Sequence, residues 1–139
     1  MRLIIAAVKA DGDAALARYG VALDGAVGLR PDALKASAAE FDAAFATLDP
    51  DLTETIRWSI ANIWSFHEEQ LPDPMFLKEI RPGAFAGDRF TPLRSAALYV
   101  PRGKGSFPSV TMMTSVPAKL AGVETVYKVG GAQAVAAAA

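Results

Sequence analysis

The sequence contains no cysteine. Disulfides and thiolate-held metals are thereby excluded, and a reducing compartment, the cytoplasm, is the expected location. Histidine is almost as scarce, with His67 alone. A zinc site needs three or four good ligands within reach. A serine or threonine nucleophile needs a base beside it. One histidine without cysteine offers neither pattern. Charge of one sign is not in excess either: 14 Lys and Arg against 15 Asp and Glu give a net charge of −1. Binders of nucleic acid or of anionic membranes normally carry a basic excess, so neither partner is expected. Long apolar runs are missing too. None reaches the ~18 uncharged residues that a membrane span requires. The apolar start, MRLIIAAV, is too short for a cleaved leader and meets Lys9, Asp11 and Asp13 at once.

What remains is a globular composition. Of 139 residues, 52% are hydrophobic and 21% charged, enough for one ordinary domain with a core. The first seventy residues read as helical. Ile4, Ile5 and Val8 share a face, and residues 14–19 continue as a short helix. Asp24-Gly25 and Gly28 mark turns. Pro31-Asp32 suits a first helical turn, and Leu34, Phe41, Phe45 and Leu48 follow on one predicted helix face. Asp49-Pro50-Asp51 is a second start signal, with Asp49 as N-cap. Leu52, Ile56, Ile60, Ile63 and His67 then form a stripe, which makes His67 a half-buried structural residue.

Beyond Pro74 the texture changes. Residues 76–80 and 84–90, around Arg81-Pro82-Gly83, predict a β-hairpin. SAALYV, residues 95–100, reads as a strand buried on both faces. A basic glycine loop follows, then a helix over 109–116, a second helical turn at 117–120 closed by Gly122, and a strand at 125–129. Gly130-Gly131-Ala132-Gln133 opens an alanine-rich helix. Strand, glycine loop, helix, strand, glycine loop, helix is the rhythm of a parallel α/β sheet. The fold class is therefore α/β: a helical N-terminal half, a hairpin, then an incomplete parallel sheet.

The stretch YVPRGKGSFPSVTMM, residues 99–113, carries the chemical interest. A P-loop needs glycine five positions before its Gly-Lys pair. Leu98 stands there, and Gly105 follows Lys104 in place of Ser or Thr. A dinucleotide fingerprint fails at its third glycine, where Pro108 stands. The general physics survives, because a glycine-rich turn into a helix start presents backbone N–H groups and a positive dipole end. Arg102 and Lys104 add charge. From pattern alone the loop either holds an anion or turns a corner with solvated cations.

Over almost its whole length the chain resembles one enzyme family. SAALYVPRGKGSFPSVTMMTSVPAKLAGV (95–123) and YKVGGAQAVAA (127–137) are similar to two segments of histidinol dehydrogenases. VKADGDAALARYGVALDG and IANIWSFHEEQLP resemble that family's early helices. The resemblance implies an incomplete Rossmann-like sheet as a fragment of that fold. Residues 1–100 would belong to the first α/β domain and 101–139 to a truncated second, NAD-binding part. It implies NAD-dependent oxidation of histidinol to histidine, or of a related alcohol. Tyr99 and Gln133 would contact NAD, and the chain would form a homodimer or otherwise self-associate. Zinc holds the substrate in the family, but its ligands and the catalytic base have no counterpart here. Arg102 stands where the family has glycine. The family carries two Ala-Gly-Val-like segments, and this chain only one, Ala121-Gly122-Val123. A strand-plus-helix unit of ~25–30 residues is thus expected to be missing near 123–127. A catalytically inactive remnant or interaction module is the alternative.

Overall fold

The computed structural model describes residues 1–101 and 107–130. Arg102, Lys104 and Gln133 lie outside the described residues. The chain divides into two compact units, residues 1–42 and 43–139.

In the first unit, helix α1 (Arg2–Asp11) half-buries Ile4, Ala7 and Val8. Gly12 breaks it, and α2 (Asp13–Asp24) follows, longer than expected. Small residues carry the packing of α2: Ala15 and Ala17 are buried. Left-handed Gly25 ends it, and the Ala26 N–H donates back to the Gly20 carbonyl. The long helix expected from Pro31 does not form. Pro31–Ala33 is a single 3₁₀ turn, and α3 (Ala38–Ala46), whose last residues belong to the second unit, begins only after a second start signal. That signal is a capping box. The Glu40 carboxylate accepts from the Ser37 backbone N–H and hydroxyl, both at 2.8 Å, while the Ser37 hydroxyl accepts from the Glu40 N–H at 3.3 Å.

In the second unit, α4 (Pro50–Glu68) starts at Asp49 as expected, whose carboxylate accepts from Asp51 and Leu52 N–H. Ile56, Ile60, Ile63 and His67 are half-buried, while Leu52 is exposed. The hairpin comprises β1 (Met75–Arg81) and β2 (Ala84–Arg89), paired antiparallel with a register shift between Glu79 and Arg81. Pro82 and left-handed Gly83 make its turn, and the Gly83 N–H donates to Glu79 at 2.8 Å. Both faces of this hairpin are exposed.

β3 (Ser95–Tyr99), α5 (Pro108–Leu120) and β4 (Thr125–Val129) complete the described chain. β3 and β4 pair in parallel, Ser95 opposite Thr125 through Tyr99 opposite Val129. The ladder extends at both ends, from Thr125 N–H to the Arg94 carbonyl and from Val100 N–H to the Val129 carbonyl. α5 is one helix with Pro117 inside it, not a helix and a separate turn. Thr114 and Ser115 hydroxyls donate to the carbonyls of the preceding turn. α5 buries Met112 and Val116, and packs against α4, β3 and β4.

β3 is not buried on both faces. Ala96 and Leu98 are half-buried, whereas Ser95, Ala97 and Tyr99 are exposed. β4 repeats the pattern: Val126 and Lys128 are half-buried, Thr125, Tyr127 and Val129 exposed. The apolar run predicts two covered faces because a parallel strand normally has helices on both. Here the described residues cover only one.

Candidate functional site

The sheet places Tyr99 at the carboxyl end of β3, where the chain leaves the sheet for α5. In open α/β sheets this is the end at which ligands bind. Alternation along the strand puts Tyr99 on the open face, and its side chain is 71% exposed. It shares that face with Ala97, Tyr127 and Val129. Val100, one residue on, points the other way and is buried, at 1% exposure. The strand end is thus held from within while its tyrosine faces out.

The start of α5 supplies the second component. Phe107 is its N-cap and gives no side-chain hydrogen bond, and Pro108 occupies the first turn. Pro108 carries no N–H, the Val110 N–H donates to the Phe107 carbonyl at 3.2 Å, and the helix dipole places partial positive charge at this end. Deeper in the same turn, Thr111 is 1% exposed and its Oγ1 has no hydrogen-bond partner among the described residues. No pattern marks this residue beforehand, since a threonine in a helical stretch reads as surface. On β4, burial draws the Lys128 ammonium below the ordinary lysine range.

Of the residues expected to touch NAD, the structure places Tyr99 at the sheet's carboxyl end; Gln133 falls outside the described residues. The strand that leads to Gln133 ends opposite Tyr99, at Val129. An exposed aromatic at a strand end, followed in the chain by the start of a helix, suits a nucleotide: rings stack on tyrosine, and phosphates are favoured at the positive end of the helix dipole. His67 lies elsewhere. Its Nδ1 is 2.7 Å from Gln70 Oε1 and its ring meets Phe66 edge-on, centroids 5.3 Å apart. It is half-buried, as the stripe predicts. Among the described residues no three His, Asp or Glu side chains are grouped to hold a metal.

Comparison with known proteins places this geometry. The model of the family described as histidinol dehydrogenase matches residues 1–126. A histidinol dehydrogenase homolog of Cereibacter sphaeroides is 58% identical over 164 aligned positions, covering 98% of this chain and 37% of the relative. The histidinol dehydrogenase of Methanosarcina barkeri is 37% identical over 123 positions, covering 88% and 28%. The crystal structure of histidinol dehydrogenase from Elizabethkingia anophelis superposes with a TM-score of 0.87 at 23% identity, covering 99% of this chain and 33% of that one. The chain therefore spans between 28% and 37% of the length of these relatives. The Cereibacter alignment is also longer than the chain itself: 164 positions against 139 residues leave at least 25 positions of the relative without a counterpart. A match of this extent, in sequence and in backbone alike, settles descent: the chain belongs to the histidinol dehydrogenase family.

Proposed function

We propose that this chain forms one side of the cofactor cleft of an NAD-dependent dehydrogenase acting on an amino alcohol, L-histidinol or a related alcohol, in histidine biosynthesis. The observation that carries the reading is Tyr99, exposed at the carboxyl end of a parallel strand that leads to a helix start without a side-chain cap. NAD, when bound, accepts the hydride. Tyr99 packs against the cofactor, the positive dipole end of α5 favours its phosphates, and Gln133 completes the contact from the second loop. Arg102, in place of the family's glycine, allows for a different alcohol. Zinc belongs to the family's chemistry, but the donor set of this chain, one histidine and no cysteine, does not fit it. No step is routed through it. The setting is the cytoplasm, and no helix among the described residues is long and apolar enough to cross a membrane.

One observation favours a second reading, a non-catalytic module that associates with its own copies. The β1–β2 hairpin exposes Phe76, Ile80 and Phe85, a surface of the kind proteins bury against a partner. Calorimetric titration of the chain with NAD, with histidinol and zinc then added and NADH followed by absorbance, separates the two. Saturable binding without NADH is the expected result. Absence of NAD binding hands the chain to the second reading. NADH formation would show that residues of this chain suffice for the chemistry.

A further inference from the structure

The open face of the parallel sheet carries a second large aromatic besides Tyr99. The register sets Tyr127 opposite Ala97 and Val129 opposite Tyr99. All four are exposed, Tyr127 at 60%. The two tyrosines therefore stand at opposite corners of a four-residue patch, with Ala97 and Val129 at the other two. Side chains of a strand stand roughly perpendicular to the sheet. Neighbouring strands lie ~4.8 Å apart and alternate residues ~6.6 Å apart along a strand, so the diagonal from Tyr99 to Tyr127 is ~8 Å. One flat ring held between two others needs ~7–8 Å, two contacts of ~3.5–4.0 Å each. Ala97, at the corner beside both tyrosines, carries a single methyl and leaves that gap open.

The make-up of this face suits a ligand better than a packed helix. Parallel strands covered on both faces are rich in Val, Ile and Leu. The face turned to α5 follows that rule in Leu98 and Val126. The open face instead presents Ser95, Ala97 and Tyr99 on β3 and Thr125, Tyr127 and Val129 on β4, with four hydroxyls and no charge. Tyrosine offers a flat apolar ring whose polar tip can stay in water. The strand ends that carry the rings are also tied together. The Val100 N–H donates to the Val129 carbonyl at 2.8 Å, and Gly130 abuts Val100.

Building on the nucleotide reading above, we infer that Tyr99 and Tyr127 are the two walls of a slot, floored by Ala97, that takes the adenine ring of the dinucleotide. Hydride transfer needs one face of the nicotinamide open to the alcohol. A ring stacked on both faces cannot receive a hydride, so the slot belongs to the adenine end.

AMP carries the adenine half of NAD, and nicotinamide mononucleotide the other half. Both, together with NAD, are titrated calorimetrically into the chain and into its Tyr127→Ala, Tyr127→Phe and Ala97→Leu variants, each first melted to show that it folds. AMP is expected to bind more tightly than nicotinamide mononucleotide. Tyr127→Ala should weaken AMP binding about tenfold, the loss of one stacked ring. Tyr127→Phe should keep most of the affinity, and Ala97→Leu, which fills the slot, should abolish it. Transferred nuclear Overhauser effects from adenine H2 and H8 to two tyrosine rings check the same point in the unmodified chain, whatever the variants do to folding. AMP binding indifferent to Tyr127→Ala or Ala97→Leu, or adenine protons beside fewer than two tyrosine rings, overturns the slot. NAD binding that still depends on Tyr99 would then leave the nucleotide reading standing. Nicotinamide mononucleotide binding as tightly as AMP, or more so, overturns the assignment to adenine. Binding of none of the three removes the nucleotide reading and the slot with it.

Discussion

Gly130 lies against Val100. A Cβ built on Gly130 would stand 2.6 Å from the Val100 carbonyl oxygen and 3.1 Å from its Cβ. The two residues follow β4 and β3, so this contact joins the two strand ends from which both glycine loops depart. Gly130→Ala is expected to push the strand ends apart and cost about 1–3 kcal/mol, the range for forcing an extra carbon into a packed site. Urea denaturation of the two proteins checks it. An unchanged midpoint would mean that the contact relaxes freely.

Tyr99→Ala is expected to weaken nucleotide binding by about tenfold, the loss of one stacked ring. Tyr99→Phe should retain most of the affinity, because the ring is kept. Equal losses in both variants would assign the role to the hydroxyl; no loss in either would remove Tyr99 from the site.

Thr111→Val should stabilise the fold by about 1 kcal/mol, since it removes a buried hydroxyl with no partner while keeping the shape. Thermal denaturation measures this. A destabilised variant would reveal a partner for Oγ1 in solution.

The Ser37–Glu40 box makes a pH-dependent contribution. The Ser37 backbone N–H, then its hydroxyl, hold the Glu40 carboxyl below the ordinary glutamate value. A group with a depressed folded value stabilises fully above its unfolded pKa and loses that contribution as pH falls through the folded one. Stability should therefore be flat above the ordinary carboxylate range and decline on acidification. Glu40→Gln should flatten part of that decline. Identical acid limbs for the two proteins would show that the box opens in solution.

Asp49→Ala removes an N-cap that accepts from two backbone N–H groups and should cost about 1 kcal/mol. Asp49→Ser, which keeps a capping oxygen, should recover most of it. Parallel urea melts decide.

Much of the fold was legible where local chemistry acts alone. Asp49-Pro50 marked its helix because a cap and an N1 proline are local devices, and Pro82-Gly83 marked its hairpin for the same reason. Pro31-Asp32 misled because the same signal also suits a 3₁₀ turn, and the Ser37–Glu40 pair three residues apart captured the helix start. Pro117 did not split α5: tertiary packing of the helix against α4 and the sheet overrides the local cost of an interior proline. The open face of β3 was hidden for a different reason. An apolar strand records the faces it can bury, not which neighbours are present to bury them. Tyr99 could be named only from a long motif, since no short pattern distinguishes a ligand-facing tyrosine from a packed one. Thr111 could not be found at all, because an orphaned hydroxyl is a property of its surroundings.

The two strand pairs also differ in the distance along the chain that each must close. The hairpin turns over two residues, whereas Ser95 must find Thr125 across the whole of α5. Hairpins form in about 1–10 μs, and pairings between distant segments pay their loop-closure entropy before any contact repays it. The β3–β4 ladder, and with it the tyrosine face and the contact of Gly130 with Val100, is therefore expected to form more slowly than the hairpin.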